Sequence, residues 1–451
     1  MTSTRRWSAL TGLHPGEGAP AAMAGAMFFC LMTAYFIVKP LRDEMGIAGG
    51  VDNLPNLYLV TLGVMLLAAP LFGWASRGRD RDVFLPAVYR FFAANLLAFF
   101  LALRLLPSAD LWIGRAFYVW VGVFNMFTLS LFWGFMADGL GFRRGRRVIG
   151  AVAVGGTAGA VLGASVTELL VALVGRLPLL LVSVAFLEAA VRLVGPVSRR
   201  LRALPREDRT PAAPPAPSPA PRRGHVMEGV ILLARSPYLQ AIAAFMVLYT
   251  LSNTFLYLAQ AGIVAATADG RVARTQLLAR IEIYVQTATL ITQLTLTGRV
   301  LTRAGSGPVL AALPIATGAG FLALGLHPGL AVLVAVQVLR RTLNYALVKP
   351  ARESLYTPLG PAAQYRAKSF IDTFVYRGGD AVGAGVYGGL TTLGLGISGV
   401  AFAAAPLCLV WLAVAVYLGR RQRRLAEGIG PRDAALGAAV VADGNIPRST
   451  P

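Results

Sequence analysis

Residues 148–174 read VIGAVAVGGTAGAVLGASVTELLVALV, and Glu168 is the only charged side chain among them. At about 1.5 Å per residue, a helix of this length crosses a hydrocarbon core about 30 Å thick. Because backbone groups cannot stay unpaired in lipid, such an apolar block is predicted to be a membrane-spanning helix. Gly159 and Gly163 follow the GxxxG spacing, which lets membrane helices approach closely.

Eleven further apolar blocks accompany this one along the chain. The protein is 56% hydrophobic and 14% charged, whereas soluble domains carry about 25% charged residues. The predicted spans, numbered 1 to 12, are residues 21–41, 54–75, 84–106, 111–137, 148–174, 177–195, 237–264, 277–298, 308–326, 328–348, 367–391 and 395–419. Span 11 contains RGGDAVGAGVYGG, whose Gly379 and Gly383 repeat the spacing seen in span 5. Spans 5 and 11 hold equivalent places in two sets of six, as parallel repeats require.

A basic, proline-rich segment separates the two sets. Residues 196–230 contain TPAAPPAPSPAP and many arginines, and such a composition predicts a disordered linker. The predicted organisation is a tail (1–20), a six-helix lobe (21–195), the linker, a second six-helix lobe (231–419) and a tail (420–451). Six spans, a basic linker and six more spans is the layout of a two-lobed major facilitator carrier, so the predicted fold is all-α.

The net charge is +21, and the distribution of the positive residues along the chain agrees with the predicted membrane topology. Arginines cluster in segments that a cytoplasmic N-terminus would place inside, whereas the outside is poorer, with an exception at 265–280. The inside segments hold Arg77, Arg79, Arg81, Arg143, Arg144, Arg146, Arg147, Arg420, Arg421, Arg423, Arg424 and the linker. We therefore expect both termini to be cytoplasmic, in a bacterial inner membrane. No nucleic-acid partner is expected, because no basic segment is interleaved with exposed aromatics.

Charges concentrate in three polar segments at helix ends: AYFIVKPLRDEMG (34–46), LRRTLNYALVKPARESLY (339–356) and QYRAKSFIDTFVYRGGD (364–380). They contain all three lysines of the chain, whose other positive side chains are arginine. Charges at membrane depth cost about 2.5–3.5 kcal/mol each and usually mark a substrate or ion path. The predicted substrate-binding residues are Lys39, Arg42, Asp43, Arg340, Arg341, Lys349, Arg352, Glu353, Lys368, Asp372 and Arg377.

Cations outnumber carboxylates in these segments, and this excess favours an anionic substrate, since arginine forks suit phosphate or carboxylate. The alternative is that the charges form salt bridges that lock closed gates between the lobes. Lys368 and Asp372 are predicted to pair as i,i+4 neighbours. Glu282, Asp380 and Asp138 are candidates for coupling or gating. For Asp138, as for Glu168 and Glu188, a role as an arginine partner is favoured, and for Glu282 both interpretations stay open.

An enzymatic function is not predicted. The three histidines, His14, His225 and His327, lie in tails or loops, so the sequence offers no histidine metal cluster. No lysine follows a glycine, which excludes a Walker A loop. Neither a cofactor nor a metal is expected, and the protein is predicted to be a monomer in the lipid bilayer.

At the three polar segments the chain resembles the ATP/ADP translocase (nucleotide transporter) family of plastids and intracellular bacteria, within the major facilitator group. Arg42 and Asp43 match its basic–acidic pair in span 1, and Arg352 and Glu353, with Tyr356, match its basic–glutamate pair in span 10. Lys368, Ile371 and Asp372 match the opening of span 11, and Glu282 is a counterpart of its span 8 glutamate. The chain departs from the family in having Arg-Asp-Glu in span 1 and RGGD in span 11.

This resemblance implies a secondary carrier that exchanges a phosphorylated metabolite, such as ATP for ADP, by alternating access. The alternative is a carrier of the same fold that moves a different organic anion and is coupled to protons. A membrane enzyme or a non-transporting sensor is the remote third possibility.

Overall fold

The computed structural model describes residue 14 and residues 16–75, 81–204, 231–359, 367–368 and 370–427. Helices cover all twelve predicted spans, and the described residues contain no strand. Spans 1 to 6 are Gly18–Ala48, Leu54–Ala75, Arg81–Leu105, Asp110–Val174 (spans 4 and 5) and Arg176–Arg202. Spans 7 to 9 are Pro237–Thr267, Gly270–Thr295 and Ser306–Leu326, with the short helix Thr297–Ala304 before span 9. Span 10 comprises Leu330–Thr342, Leu343–Val348 and Lys349–Ser354, span 11 comprises Ile371–Val375 and Tyr376–Thr392, and span 12 is Ile397–Glu427.

Spans 4 and 5 are the two arms of one helical run that reverses its direction. Phe28 of span 1 stacks on Phe132, with ring centroids 4.5 Å apart, and Tyr35 lies 6.4 Å from Phe124. Along the other arm, Gly155 faces Gly25 and Gly163 faces Thr33. Later residues of span 1 therefore contact earlier residues of span 4 and later residues of span 5. Span 1 is antiparallel to span 4 and parallel to span 5. The chain must turn back between these arms, as two separate spans require.

Several helices extend beyond their predicted ends. Span 6 continues to Arg202 and span 12 to Glu427, past residues 195 and 419. The added turns are rich in arginine. The apolar stem of an arginine packs along the helix while its charged group reaches water at the membrane surface. Most of the predicted linker (205–230), of the N-terminal tail (1–13) and of the C-terminal tail (428–451) lies outside the described residues.

Within the described residues, ten helices are long and apolar enough to cross a membrane. The helices of spans 8 and 11 do not meet that criterion. Span 8 carries Arg271, Arg280 and Glu282, and span 11 carries Arg377 and Asp380 among many glycines. The two least apolar spans are therefore both spans with charges inside the predicted membrane region.

By their contacts, the residues divide into two compact units, 1–220 with 258–294 and 221–257 with 295–451. In the first unit span 1 is central, because it is buried against spans 4, 5 and 6. In the second unit Trp411 of span 12 is fully buried, with its ring 5.4 Å from that of Phe245. This division assigns span 8 to the first unit; the two six-helix lobes stay a prediction.

The close approach predicted for the glycines of span 5 is confirmed. A Cβ atom at Gly163 would lie 2.5 Å from the Thr33 carbonyl oxygen of span 1, closer than real Cβ contacts. The backbones are also joined by hydroxyl groups, since Thr33 Oγ1 donates to the Gly159 carbonyl at 3.1 Å and Thr167 Oγ1 donates to the Ile37 carbonyl at 3.1 Å. In span 11, Gly379 and Gly383 lie in the same way against Thr250 and Thr254 of span 7.

Replacing Gly163 with Ala is expected to destabilise the protein, because the added methyl group meets backbone that cannot move aside. Overpacking of this kind costs about 1–3 kcal/mol, which should appear as a lower midpoint of thermal unfolding in detergent. Gly150→Ala, in the same span with open space around its Cβ position, is the matched control and should not lower the midpoint. Equal midpoints for the two variants would contradict the packing described.

Candidate functional site

The predicted charges of span 1 have partners within the first unit. Lys39 Nζ forms an ion pair with Glu282 of span 8, whose exposed fraction is 3%. Arg42 Nε lies 3.0 Å from Asp43 Oδ1, and its guanidinium lies over the Tyr118 ring at 4.5 Å. The anion-binding capacity of both cations is therefore already taken up by carboxylates in this conformation.

Span 8 makes a second set of ion pairs through Arg271. Gly270, with φ of 81°, allows a tight turn after span 7. Arg271 then contacts two carboxylates: Nε lies 2.8 Å from Glu44 Oε1 in span 1, and Nη1 pairs with Asp110 at the start of span 4. Asp110 Oδ1 also lies 2.6 Å from Arg176 Nη2. Glu44 and Arg176 were not predicted as site residues, although both lie at span ends.

Glu168 and Glu188 have the arginine partners that were predicted for them. Glu168 Oε1 lies 2.8 Å from Arg280 Nη2. Glu188 Oε1 lies 3.2 Å from Arg90 Nη2 and 3.3 Å from Arg192 Nε, near the protein surface. Asp138 is exposed, which does not favour a coupling role inside the bundle.

Arg340 of span 10 has a different environment, in the second unit. It is 2% exposed, and both of its terminal nitrogens donate to Asn253 Oδ1 of span 7 at 3.2 Å. The guanidinium also lies 5.6 Å from the centre of the Tyr249 ring, and Tyr249 Oη accepts a hydrogen bond from Asn344 Nδ2 at 3.0 Å. The Arg340 Nε has no hydrogen-bond partner. Among the described residues, no carboxylate pairs with this buried cation.

Two further cations of span 10 form no ion pair with a described carboxylate, although Asp372 lies near enough to interact electrostatically with both. Arg352 is 9% exposed, and its Nη1 contacts Met246 Sδ at 3.1 Å, while its Nε has no partner. Lys349 is exposed and forms no ion pair with a described residue. Arg341, the fourth cation of this span, lies over the Tyr345 ring at 5.8 Å.

A change of helix type places these side chains. Leu343–Val348 is a π-helix between the α-helical parts of span 10, and such segments often occur at functional sites. Pro350 follows it and has no N–H to donate to the carbonyl of Ala346 four residues earlier. That carbonyl instead accepts a hydrogen bond from Thr297 Oγ1 at 3.0 Å. The wider π-helical turn changes the directions in which the cations before it and after it point from span 10.

In span 11, Asp372 is an electrostatic neighbour of Lys368, as the i,i+4 spacing predicted, but the two do not form the direct ion pair. Lys368 Nζ forms its ion pair with Glu353 of span 10. Residues Ile371–Val375 form a second π-helix, so the i,i+4 spacing of an α-helix does not apply there. Further along, Arg377 Nη1 lies 3.6 Å from Asp380 Oδ2, and Asp380 Oδ1 accepts a hydrogen bond from Thr254 Oγ1 at 3.4 Å.

The predicted site residues thus fall into two groups. Lys39, Arg42, Lys368 and Arg377 are paired with carboxylates. Arg340, Lys349 and Arg352, within 13 residues of span 10, form no ion pair with a described carboxylate. Asp372 is an electrostatic neighbour of Lys349 and Arg352, whereas the described contacts of Arg340 are with neutral groups of span 7. Asn253 and Tyr249, which contact Arg340, were missed because an amide and a phenol in an apolar helix give no distinctive sequence signal.

Comparison with known proteins places the fold. No protein-family model matches the chain, and no curated protein sequence matches it. Among solved structures it is similar to a mutant of the nucleoside transporter NupG, at 14% identity and a TM-score of 0.54, covering 90% of this chain and 99% of that one. It is also similar to a mutant of the E. coli fucose:proton symporter FucP, at 14% identity and a TM-score of 0.57, with the same coverage. The chain is therefore a multi-pass, all-α membrane protein with the major facilitator fold.

The Lys39–Glu282 pair gives a test of the described packing. Lys39→Met should lower the midpoint of thermal unfolding, because it removes the positive partner that contacts the buried Glu282 carboxylate, and breaking a buried ion pair costs about 3–5 kcal/mol. Adding Glu282→Gln removes that charge and should recover much of the loss. Arg192→Met at the exposed Glu188 is the control, and surface pairs contribute at most about 1 kcal/mol. A double variant no more stable than Lys39→Met alone would argue against the pair.

Proposed function

We propose that the protein is a secondary transporter that moves a small organic anion across the membrane by alternating access. The observation that carries this proposal is the buried cation Arg340, which has no carboxylate partner among the described residues, in the same span as Lys349 and Arg352, which form no ion pair with a described carboxylate. The fold it shares with NupG and FucP supports a transport function, since both of those proteins are named as transporters.

The energetics of buried charge favour a substrate that is itself an anion. An uncompensated cation in a low-dielectric interior costs several kcal/mol even after relaxation. Arg340 and Arg352 are at most 9% exposed, so water compensates them only in part. An anion bound beside them would supply the missing charge. Guanidinium groups bind carboxylate and phosphate oxygens through paired hydrogen bonds, which supports these two chemical groups.

Within this class, we propose a phosphorylated metabolite such as a nucleotide, exchanged for a related one. The resemblance of the three polar segments to the ATP/ADP translocases supports this choice. Exchange of ATP for ADP moves about one net charge, so a membrane potential would bias it by about 2.3 kcal/mol per 100 mV. The proposed setting is a bacterial inner membrane, with both termini cytoplasmic, the two six-helix lobes as the moving parts and a monomer as the working unit.

The Lys39–Glu282 pair is proposed to act as a gate. It joins span 1 of the first predicted lobe to span 8 of the second, so it would break when the lobes separate. Lys368–Glu353 joins two spans of the second predicted lobe, and it is proposed to hold them together. Asp43, Asp372 and Arg341 lie next to these pairs or to the span 10 cations in sequence, and we include them in the proposed substrate path.

A second candidate function is proton-coupled transport of a different anion, and Asp380 is the observation that favours it. Asp380 is 7% exposed. Its described contacts are a distant ion pair with Arg377 at 3.6 Å and a long hydrogen bond from Thr254 at 3.4 Å. A buried carboxylate with weak partners can exchange a proton more readily than Glu282, which contacts Lys39 directly. The name of FucP, a fucose:proton symporter, supports the possibility of proton coupling in this fold.

The proposed function is tested by counterflow in proteoliposomes preloaded with ATP, ADP or other phosphorylated metabolites. Uptake of labelled ATP should depend on the internal metabolite. Arg340→Gln and Arg352→Gln should lower uptake about tenfold or more, because a hydrogen bond to a charged group contributes about 1.5–3 kcal/mol and 1.4 kcal/mol is a tenfold change. Arg192→Gln, at the exposed surface, is the matched control. Unchanged uptake by both span 10 variants would remove the anion site.

Proton coupling is tested separately with Asp380→Asn. If Asp380 carries the coupled proton, this variant should lose uptake driven by a pH gradient, because asparagine cannot bind and release a proton, but it should keep counterflow. Asp138→Asn, at an exposed carboxylate, is the matched control and should keep both activities. Uptake by Asp380→Asn that still follows the pH gradient would exclude the second candidate at this residue.

A further inference from the structure

The hydrogen bonds between Arg340 and Asn253 join a buried cation to a neutral acceptor. A fully charged, 2% exposed guanidinium directs both terminal nitrogens at a single neutral amide oxygen, each at 3.2 Å. Hydrogen bonds from a guanidinium to a carboxylate are typically shorter, about 2.7–2.9 Å. The amide oxygen thus occupies the position in which an anionic oxygen would bind best.

We propose that Asn253 is a neutral place-holder for the substrate, and that an anionic oxygen of the substrate replaces Asn253 Oδ1 on Arg340. This inference rests on the proposed function and deepens it. It assigns the anion-recognition subsite to Arg340 rather than to all three unpaired cations. It also makes Asn253 a residue that competes with the substrate for the guanidinium.

The donors around Arg340 indicate the kind of group that would bind. Its Nε is buried and has no hydrogen-bond partner, so one edge of the guanidinium has a free donor next to the nitrogens that contact Asn253. A group with two anionic oxygens could replace the amide by accepting from the two terminal nitrogens, one oxygen on each, while Nε stays available to a further acceptor. Carboxylate and phosphate groups have this geometry, whereas a single hydroxyl or a halide does not.

The surroundings hold the guanidinium in place for such an exchange. Tyr249 lies beside it, and the phenol is held by Asn344 Nδ2 at 3.0 Å. The nearby carboxylate of Asp380 does not pair with Arg340. It contacts Arg377 and Thr254, and Thr254 is the residue after Asn253. Adjacent residues of a helix point about 100° apart, so span 7 directs Asn253 to Arg340 and Thr254 to Asp380. A permanent carboxylate at position 253 would hold Arg340 and leave no place for an incoming anion.

Asn253→Asp tests this directly, since it changes the charge of the place-holder with almost no change of shape. Purified protein would be heated in detergent with and without inorganic phosphate or ATP, and the shift of the unfolding midpoint measured. In the wild type, at least one of the two probes should raise the midpoint. Asn253→Asp should have a higher midpoint without a probe, and the concentration of probe needed for stabilisation should rise at least tenfold. Arg340→Gln should lose the probe effect without gaining stability.

Asn95→Asp is the matched control, because Asn95 lies in span 3 and its amide donates to its own helix at the Phe91 carbonyl. It should respond to the probe as the wild type does. The inference is overturned if Asn253→Asp keeps the wild-type response, or if neither probe stabilises the wild type. The proposed function can fail separately. In that case the wild type shows no counterflow, but a probe still raises its unfolding midpoint and Asn253→Asp loses this response. The subsite would then stand and the transport function would not. If wild type and Asn253→Asp transport equally, transport stands and the subsite does not.

Discussion

Neutralisation of charge inside an apolar helical bundle is the constraint on which the rest of this structure depends. Span 8 satisfies it with partners in the first unit: Glu282 pairs with Lys39, Arg280 with Glu168, and Arg271 with Glu44 and Asp110. A helix with this much charge can exist in a membrane only when it is docked in this way. The pairing also explains why span 8 belongs to the same compact unit as spans 1 to 6.

Span 10 meets the same constraint only in part, and its local backbone is involved. Pro350 cannot donate to the Ala346 carbonyl, which is satisfied by Thr297, and a π-helix covers Leu343–Val348. The wider turn separates the half of the span that carries Arg340 from the half that carries Arg352. Backbone irregularity and unpaired cations therefore occur together. Both features cost free energy, and the proposed anion site would account for them jointly.

The sequence alone was sufficient for the spans but not for the pairing of charges. Length and hydropathy are properties of a contiguous segment, so they located the helices, although within the described residues only ten of the twelve are long and apolar enough to cross a membrane. The partner of Lys39 is 243 residues away, and only the packing of span 8 brings it close. Lys368 forms its direct ion pair with Glu353 of span 10, while Asp372 stays an electrostatic neighbour in a segment, residues 371–375, that is not α-helical. Asn253 could not be predicted, since it becomes informative only when Arg340 is seen beside it.

Span 7 explains why the cations of span 10 stay available. Where it meets charged side chains it presents an amide from Asn253, a hydroxyl from Thr254 and a thioether from Met246. Each group can contact a charge, but none can cancel it. A carboxylate at either Asn253 or Met246 would form a stable ion pair, as Glu282 does with Lys39, and would remove the reason for an anion to bind. Neutral partners hold the side chains of span 10 in place without cancelling their positive charge, and it is this charge that the proposed anion site would use.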